Sequence, residues 1–492
     1  MAITLRQIKQ RLTLSRKAPN TPVKFFMETY PDMVAQTTLA SPHSALDMVS
    51  FSRRSLLRSG AFAAAGAAAA TVPFGPLGHA LRAHDVASDW PNIAALADRY
   101  LSEGKVANLL CTLGWGQEDH AHTVGGGTLG FADATPVDVD SLYRIYSMTK
   151  PITGMATVML IDDGAIGLDM PLYEVLPQFR DMMVQVEYDG AITPDNLEPA
   201  DRPITIRQLL THTSGLGYGI VQSGPIKEAY EKYGLVPGEV SRLPIPGISR
   251  TEAVGSLERF AEGLSRLPLV LQPGTKWSYS VGLDLLGRVI EVASGMAFDR
   301  FLRERIFDPC GMDSTYFTVP QNEVGRFTDN YGVLAGNPLP IDPALASVYL
   351  DEPAFPFGGA GLVSSPRDYD RFQRMLLGYG KLDIGGTSRR VMNELAVRVA
   401  TSNILPRTAS VEGTWVDGQG FGAGGRVVNG TFGWGGAAGT LASVDYNLGL
   451  RTGLYTQYMP SEAYPMRDEF MAAYAVDLAA MNARGMAPRM VS

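Results

Sequence analysis

Ser147 and Lys150 stand three residues apart in Ser147-Met148-Thr149-Lys150. On a helix that spacing brings both side chains to one face, with Cβ atoms about 5–6 Å apart. A hydroxyl and an amine placed so can share a proton. Serine alone is a weak nucleophile, and the lysine assists only as the free amine, a form favoured by burial and by the positive field of a helix N-terminus. Ser-x-x-Lys recurs by chance, so the chemistry needs further pieces. Lys276-Trp277-Ser278-Tyr279-Ser280-Val281-Gly282 supplies a phenol just before a strongly helical stretch, Leu283 to Ala293. There it can relay protons between Ser147 and a leaving group. Gly433-Trp434-Gly435-Gly436-Ala437-Ala438-Gly439-Thr440 is glycine-rich and leads into Leu441-Ala442-Ser443-Val444-Asp445, a plausible strand. Glycines let backbone approach a ligand closely, so amides there can face a developing oxyanion.

Rival chemistry is thinner. No Gly-x-Ser-x-Gly occurs, so the usual frame of a Ser-His-Asp hydrolase is missing. His212, in Leu209-Leu210-Thr211-His212-Thr213-Ser214-Gly215, is expected to satisfy loop backbone rather than act as a base. His120 and His122 would share a strand face, yet Gly125-Gly126-Gly127 just beyond favours a solvated hairpin loop over a metal site. Cys111 and Cys310 lie in apolar contexts and are expected to be buried free thiols. No phosphate loop or nucleotide fingerprint is found, and no cofactor or metal is expected.

The elements that must position these residues can be sketched from periodicity. Trp90 to Glu103 reads as a helix, Val106–Leu113 as a strand, Gly125–Thr128 as a turn and Leu129–Ala132 as the partner strand. Thr149 to Asp163 has helical spacing, tolerates Pro151 in its first turn and ends at Gly164, which puts Ser147 at the mouth of a helix. From about Leu172 to Tyr349 the chain reads as helices and long loops with no convincing alternating strands. After Gly358, helices at Ser365–Leu377 and Val391–Val399 precede strand-like runs at Gly420–Val428, Leu441–Asp445 and Leu448–Thr456, and Glu462 to Met481 forms a last helix. This pattern predicts an α/β (α+β) domain, about 90–171 and 350–492, interrupted by an α-rich insertion at about 172–349.

Taken in order, the serine, tyrosine and glycine-rich motifs resemble those of the serine β-lactamase and penicillin-binding-protein superfamily. The chain is most similar to the class C-related esterases called family VIII carboxylesterases. Tyr143-Arg144-Ile145-Tyr146, Leu209 to Gly215, Pro273-Gly274 and Gly358-Gly359-Ala360-Gly361-Leu362 look like further family landmarks, so the resemblance covers roughly residues 95–480. It implies a β-lactamase-like antiparallel sheet flanked by helices. By the same resemblance Ser147 is the acylated nucleophile, Lys150 eases its deprotonation, and Tyr279 is general base and later proton donor. The Ser147 and Ala437 N–H groups would form the oxyanion hole, with Trp434, Gly435 and Gly436 bordering the substrate.

Two departures bear on the substrate. Trp434-Gly435-Gly436 stands where lactamases and peptidases have Lys-Thr-Gly, removing the cation that meets a substrate carboxylate. Tyr279-Ser280-Val281 replaces Tyr-x-Asn, removing an amide that grips an acylamino side chain. A neutral, apolar small-molecule ester fits these changes best. A β-lactamase, a D-Ala-D-Ala peptidase-like enzyme, an acyltransferase and an inactive penicillin-binding-like protein are the alternatives.

The front of the chain carries an address. Ser52-Arg53-Arg54-Ser55-Leu56-Leu57-Arg58 is followed by an uncharged, alanine-rich run from Gly60 to Leu77 and by Gly78-His79-Ala80. Residues 48–80 thus look like a twin-arginine export signal cleaved after about Ala80, which implies the export machinery as a partner and a periplasmic or secreted enzyme in region 81–492. Met48 is the expected translation start, making residues 1–47 a dispensable extension. A formal charge of −8 with no basic run in the body argues against a nucleic-acid partner. Beyond the signal no long apolar span is present, so stable membrane insertion is not expected.

Overall fold

In the computed structural model the structure describes residues 89–243 and 252–484. The expected extension, residues 1–47, and export signal, residues 48–80, lie outside the described residues.

Eight strands form one antiparallel sheet. They are β1 (Asn108–Trp115), β2 (His122–Gly130), β3 (Asp133–Pro136), β4 (Gly420–Phe421), β5 (Arg426–Val428), β6 (Thr431–Gly435), β7 (Leu441–Asp445) and β8 (Leu450–Tyr455). Their order is β4-β5-β6-β7-β8-β1-β2-β3. The two halves of the sequence meet at β8 and β1, where Leu110 opposes Tyr455 and Trp115 opposes Leu450. Period-two alternation explains why both faces are covered. Leu109, Cys111 and Leu113 of β1 join Leu450 and Leu454 in a core under α1 (Pro91–Ser102) and the C-terminal α5 (Met466–Ala483). Leu110 and Tyr455 point the other way, into the larger core built around α2 (Thr149–Asp162), α3 (Gly282–Ser294) and α4 (Pro366–Leu377).

Local sequence sets several of these boundaries. Ser365 caps α4 by accepting from the Asp368 N–H, and Pro366 fills its first turn, where a missing N–H costs nothing. Gly295 ends α3 in the left-handed conformation.

The hairpin between β1 and β2 departs from expectation. The turn is not at Gly125–Thr128: the chain reverses at residues 116–121, and β2 runs through all three glycines to Gly130. Gly125 and Gly127 have φ of 95° and 101°, and a Cβ would lie 2.1 Å from the Leu109 carbonyl oxygen and 2.3 Å from that of Ala107. These glycines serve close strand packing under α1, not a turn. His120 is exposed in the hairpin loop and His122 opens β2. The middle region also holds strands that the pattern hid, Met183–Gln185 with Leu197–Pro199 and Asn330–Leu334 with Asn337–Asp342. They are short, and Pro199, Pro338 and Pro340 interrupt the alternation a strand would show. Cys111 and Cys310 are both buried and free. Among the described residues no helix is long and apolar enough to cross a membrane.

Candidate active site

Ser147 sits in a 3-10 turn, Tyr146–Met148, that runs into the first residue of α2. Tyr146 before it holds φ at 41°, a left-handed conformation that costs a tyrosine about 1–3 kcal/mol. The surroundings enforce it. Arg144, fully buried, pairs with Asp342 at 2.6 Å and also donates to the Thr328 carbonyl and Ser347 Oγ. Gln457 accepts from the Arg144 N–H and donates to its carbonyl, each at 3.1 Å. Asn330 donates to the Tyr146 hydroxyl.

Two titratable side chains converge on the Ser147 hydroxyl. The Tyr279 hydroxyl lies 2.8 Å from Ser147 Oγ, and Lys150 Nζ lies 3.2 Å from it. Ser147 is half-buried, whereas Lys150 is fully buried and Tyr279 nearly so. Lys150 Nζ also donates to the Gly359 carbonyl at 2.7 Å and stands 4.6 Å from the Tyr279 ring centroid. A buried amine is thus held between two acceptors and an aromatic face, which fixes its lone pair or proton toward the serine.

The Gly358–Leu362 landmark explains itself here. Its backbone lies along the first turn of α2: Thr153 donates to the Gly358 carbonyl, Lys150 to that of Gly359, and the Leu362 N–H to Thr149 Oγ1. A Cβ on Gly358 would stand 2.5 Å from the Leu283 carbonyl oxygen, and one on Gly359 2.5 Å from Asp284 Oδ2. Side chains would push the lysine's acceptor away.

His212 organises the tyrosine. Its carbonyl accepts from the Ser278 N–H at 2.9 Å and its Nδ1 from the Ser280 N–H at 3.2 Å, so it grips the chain on both sides of Tyr279. Its ring lies 4.7 Å from the tyrosine ring, and burial with the nearby Lys150 charge holds the imidazole well below its usual range, as a neutral ring. His212 therefore satisfies loop backbone, as the sequence suggests. Tyr279 is further packed by Trp415 at 4.9 Å, Tyr218 at 5.6 Å and Trp434 at 5.9 Å between centroids.

Trp434 packs beside the tyrosine. It is 5% exposed, and its indole N–H stands 3.4 Å from the Tyr279 hydroxyl. Val281 is buried in the main core, where an amide would lack partners. Gly435 and Gly436 each admit a neighbour. A Cβ on Gly435 would lie 3.1 Å from the Arg467 guanidinium, and one on Gly436 2.2 Å from the Ile145 carbonyl oxygen, two residues before Ser147. The bare backbone at Gly436 brings Ala437 against the serine turn, and the half-exposed Ala437 keeps an N–H with no hydrogen-bond partner among the described residues. That is what an oxyanion donor requires.

Asp284, Tyr218, Trp415 and Arg467 were not singled out in the sequence. Asp284 is fully buried at the start of α3; its Oδ1 accepts from the Gly359 N–H at 2.8 Å and its Oδ2 is unpartnered. Burial pushes its carboxyl up to about 6, against the pull of Lys150 and the Gly359 N–H. A folded-state value above the ordinary carboxylate value, about 3.9, favours the fold most below pH ~4, and that contribution is lost as pH rises through ~6. Between pH 4 and pH 8, denaturant unfolding of Asp284→Asn should therefore gain about 1–3 kcal/mol relative to wild type. A gap that does not change with pH would show that Asp284 does not titrate in this window.

A family model described as Beta-lactamase matches residues 115–479. Protein Rv1367c of Mycobacterium tuberculosis is 34% identical over 339 residues, covering 64% of this chain and 78% of its own. Esterase EstB of Burkholderia gladioli is 30% identical over 304 residues, covering 58% and 69%. Among solved structures, EstCE1, described as a hydrolase with promiscuous acyltransferase activity, superposes with a TM-score of 0.63 at 22% identity, covering 80% of this chain and 99% of its own. With the family model spanning most of the chain and both halves of the sheet, the chain belongs to the Beta-lactamase family.

Proposed function

We propose that the protein is a serine hydrolase that cleaves carboxylic esters through an acyl-enzyme on Ser147. The convergence of the Tyr279 hydroxyl and Lys150 Nζ on one serine oxygen carries this reading. Ser147 Oγ attacks the acyl carbonyl while its proton passes to the Tyr279–Lys150 pair. Tyr279 returns a proton to the departing alkoxide, freeing the alcohol. Water then attacks the acyl-enzyme by the reverse proton path and releases the acid. The Ala437 and Ser147 N–H groups face the oxyanion in both steps.

Esters are favoured over β-lactams and peptides because β6 presents Trp434 where a carboxylate-binding lysine would stand, and Val281 offers no amide. The esterase name of the Burkholderia gladioli relative points the same way. Export by the twin-arginine route, resting on Arg53 and Arg54 and the alanine-rich run after them, places this activity in the periplasm or outside the cell.

Turnover of p-nitrophenyl butyrate and of a chromogenic cephalosporin by the purified protein tests the assignment. Ester kcat/KM should exceed cephalosporin kcat/KM by at least about 100-fold, or ~2.7 kcal/mol. The reverse ratio would make the protein a lactamase, and acyl transfer to an added alcohol outrunning hydrolysis would make it an acyltransferase.

A further inference from the structure

Arg467, the second residue of α5, reaches under the glycine-rich turn between β6 and β7. Its Nη2 donates to the carbonyls of Gly436 and of Thr440, the latter at 3.0 Å, and the Thr440 carbonyl also accepts from the Gly436 N–H at 2.9 Å. The Gly436 carbonyl and the Ala437 N–H belong to one trans peptide, so they point in opposite directions across a rigid plane. A donor fixed on that carbonyl sets the direction of the N–H. Because the donor is a guanidinium, it also draws electron density toward the oxygen and strengthens the amide as a donor. Gly435 is bare where Arg467 passes, and Gly436 is bare where Ile145 passes. The Trp-Gly-Gly sequence thus admits the arginine on one side and the serine turn on the other.

We infer that Arg467 is a positioning residue for the oxyanion hole, acting through the Gly436–Ala437 peptide. It touches no reacting atom, and its effect is expected where charge develops on the substrate oxygen. The inference rests on the acyl-enzyme reading above and deepens it.

The experiment compares the full chain with Arg467→Met and Arg467→Lys. It measures kcat and KM for p-nitrophenyl butyrate and, separately, the affinity for phenylboronic acid, which adds to Ser147 Oγ as a tetrahedral anion with an oxygen at the oxyanion position. Arg467→Met should lower kcat about 10- to 100-fold, leave KM within threefold and weaken boronate binding by a similar factor. Arg467→Lys keeps a charged donor but not the guanidinium's fixed fork, so it should recover only part of both losses and stay about three- to tenfold below wild type; it also carries the test where the methionine variant does not fold. Boronate affinity and kcat within twofold of wild type in the folded variants would overturn the inference, as would a rise in KM alone, which would mark Arg467 as a substrate contact. A wild-type protein that neither hydrolyses the ester nor binds boronate would sink the acyl-enzyme reading itself, and this inference with it.

Discussion

Ser147→Ala is expected to lower kcat for ester hydrolysis at least about ten-thousand-fold. The hydroxyl is the sole atom group removed, and its neighbours keep other partners. Lys150 still donates to the Gly359 carbonyl and Tyr279 still meets the Trp434 N–H. The half-exposed position contributes little packing, so the unfolding temperature should move by no more than about 2 °C. What remains of the rate reflects binding and the oxyanion amides alone. An alkyl fluorophosphonate supplies an independent readout, since wild type should gain one phosphonyl group by mass and the alanine variant none. Activity above about 1% of wild type in a folded Ser147→Ala protein would remove Ser147 from the nucleophile's role.

Much of this site is legible in the sequence, for a physical reason. Ser147 and Lys150 are tied by helical spacing, and a helix beginning at Thr149 is visible from the apolar positions and Gly164. Leu441–Asp445 lies where its alternation puts it. Tyr279 is held by backbone on both sides, so its motif is a continuous stretch. The residues that escaped act singly and across long sequence separations. Asp284 reaches Gly359 over 75 positions and Arg467 reaches Gly436 over 31. An aspartate in a helix's first turn reads as ordinary dipole complement, and an arginine in another reads as solvated. Trp415 belongs to no periodic element, so nothing in its neighbours announces that it packs at a tilt against the tyrosine. The glycines of β2 misled because a positive φ serves both turns and close strand contacts, and only the partner strand tells them apart.

The same geometry explains why Trp434 and Trp-Gly-Gly go together. A lysine at 434 would add a third basic side chain to Lys150 and Arg467, in a wall already lined by Trp277, Trp415 and Phe421. An indole instead packs against the rings and directs its N–H at the Tyr279 oxygen.

Tyr279→Phe is the sharper test of that proton path, with an expected loss of about a thousand-fold in kcat. The substitution removes one oxygen and leaves the ring among His212, Trp415 and Tyr218. Lys150 keeps its aromatic face and its carbonyl partner. The Trp434 N–H loses its acceptor, a cost of about 1–3 kcal/mol in stability that should appear as a modest fall in unfolding temperature. Because the phenol works on charge that develops only in the transition state, KM should change little while kcat falls. The leaving group separates the two jobs assigned to Tyr279. p-Nitrophenolate departs without a proton, whereas the alkoxide of an alkyl ester needs one, so the loss should be about tenfold larger for ethyl butyrate than for p-nitrophenyl butyrate. Equal losses on both esters would confine Tyr279 to activating the serine and hand the proton on the leaving oxygen to Lys150.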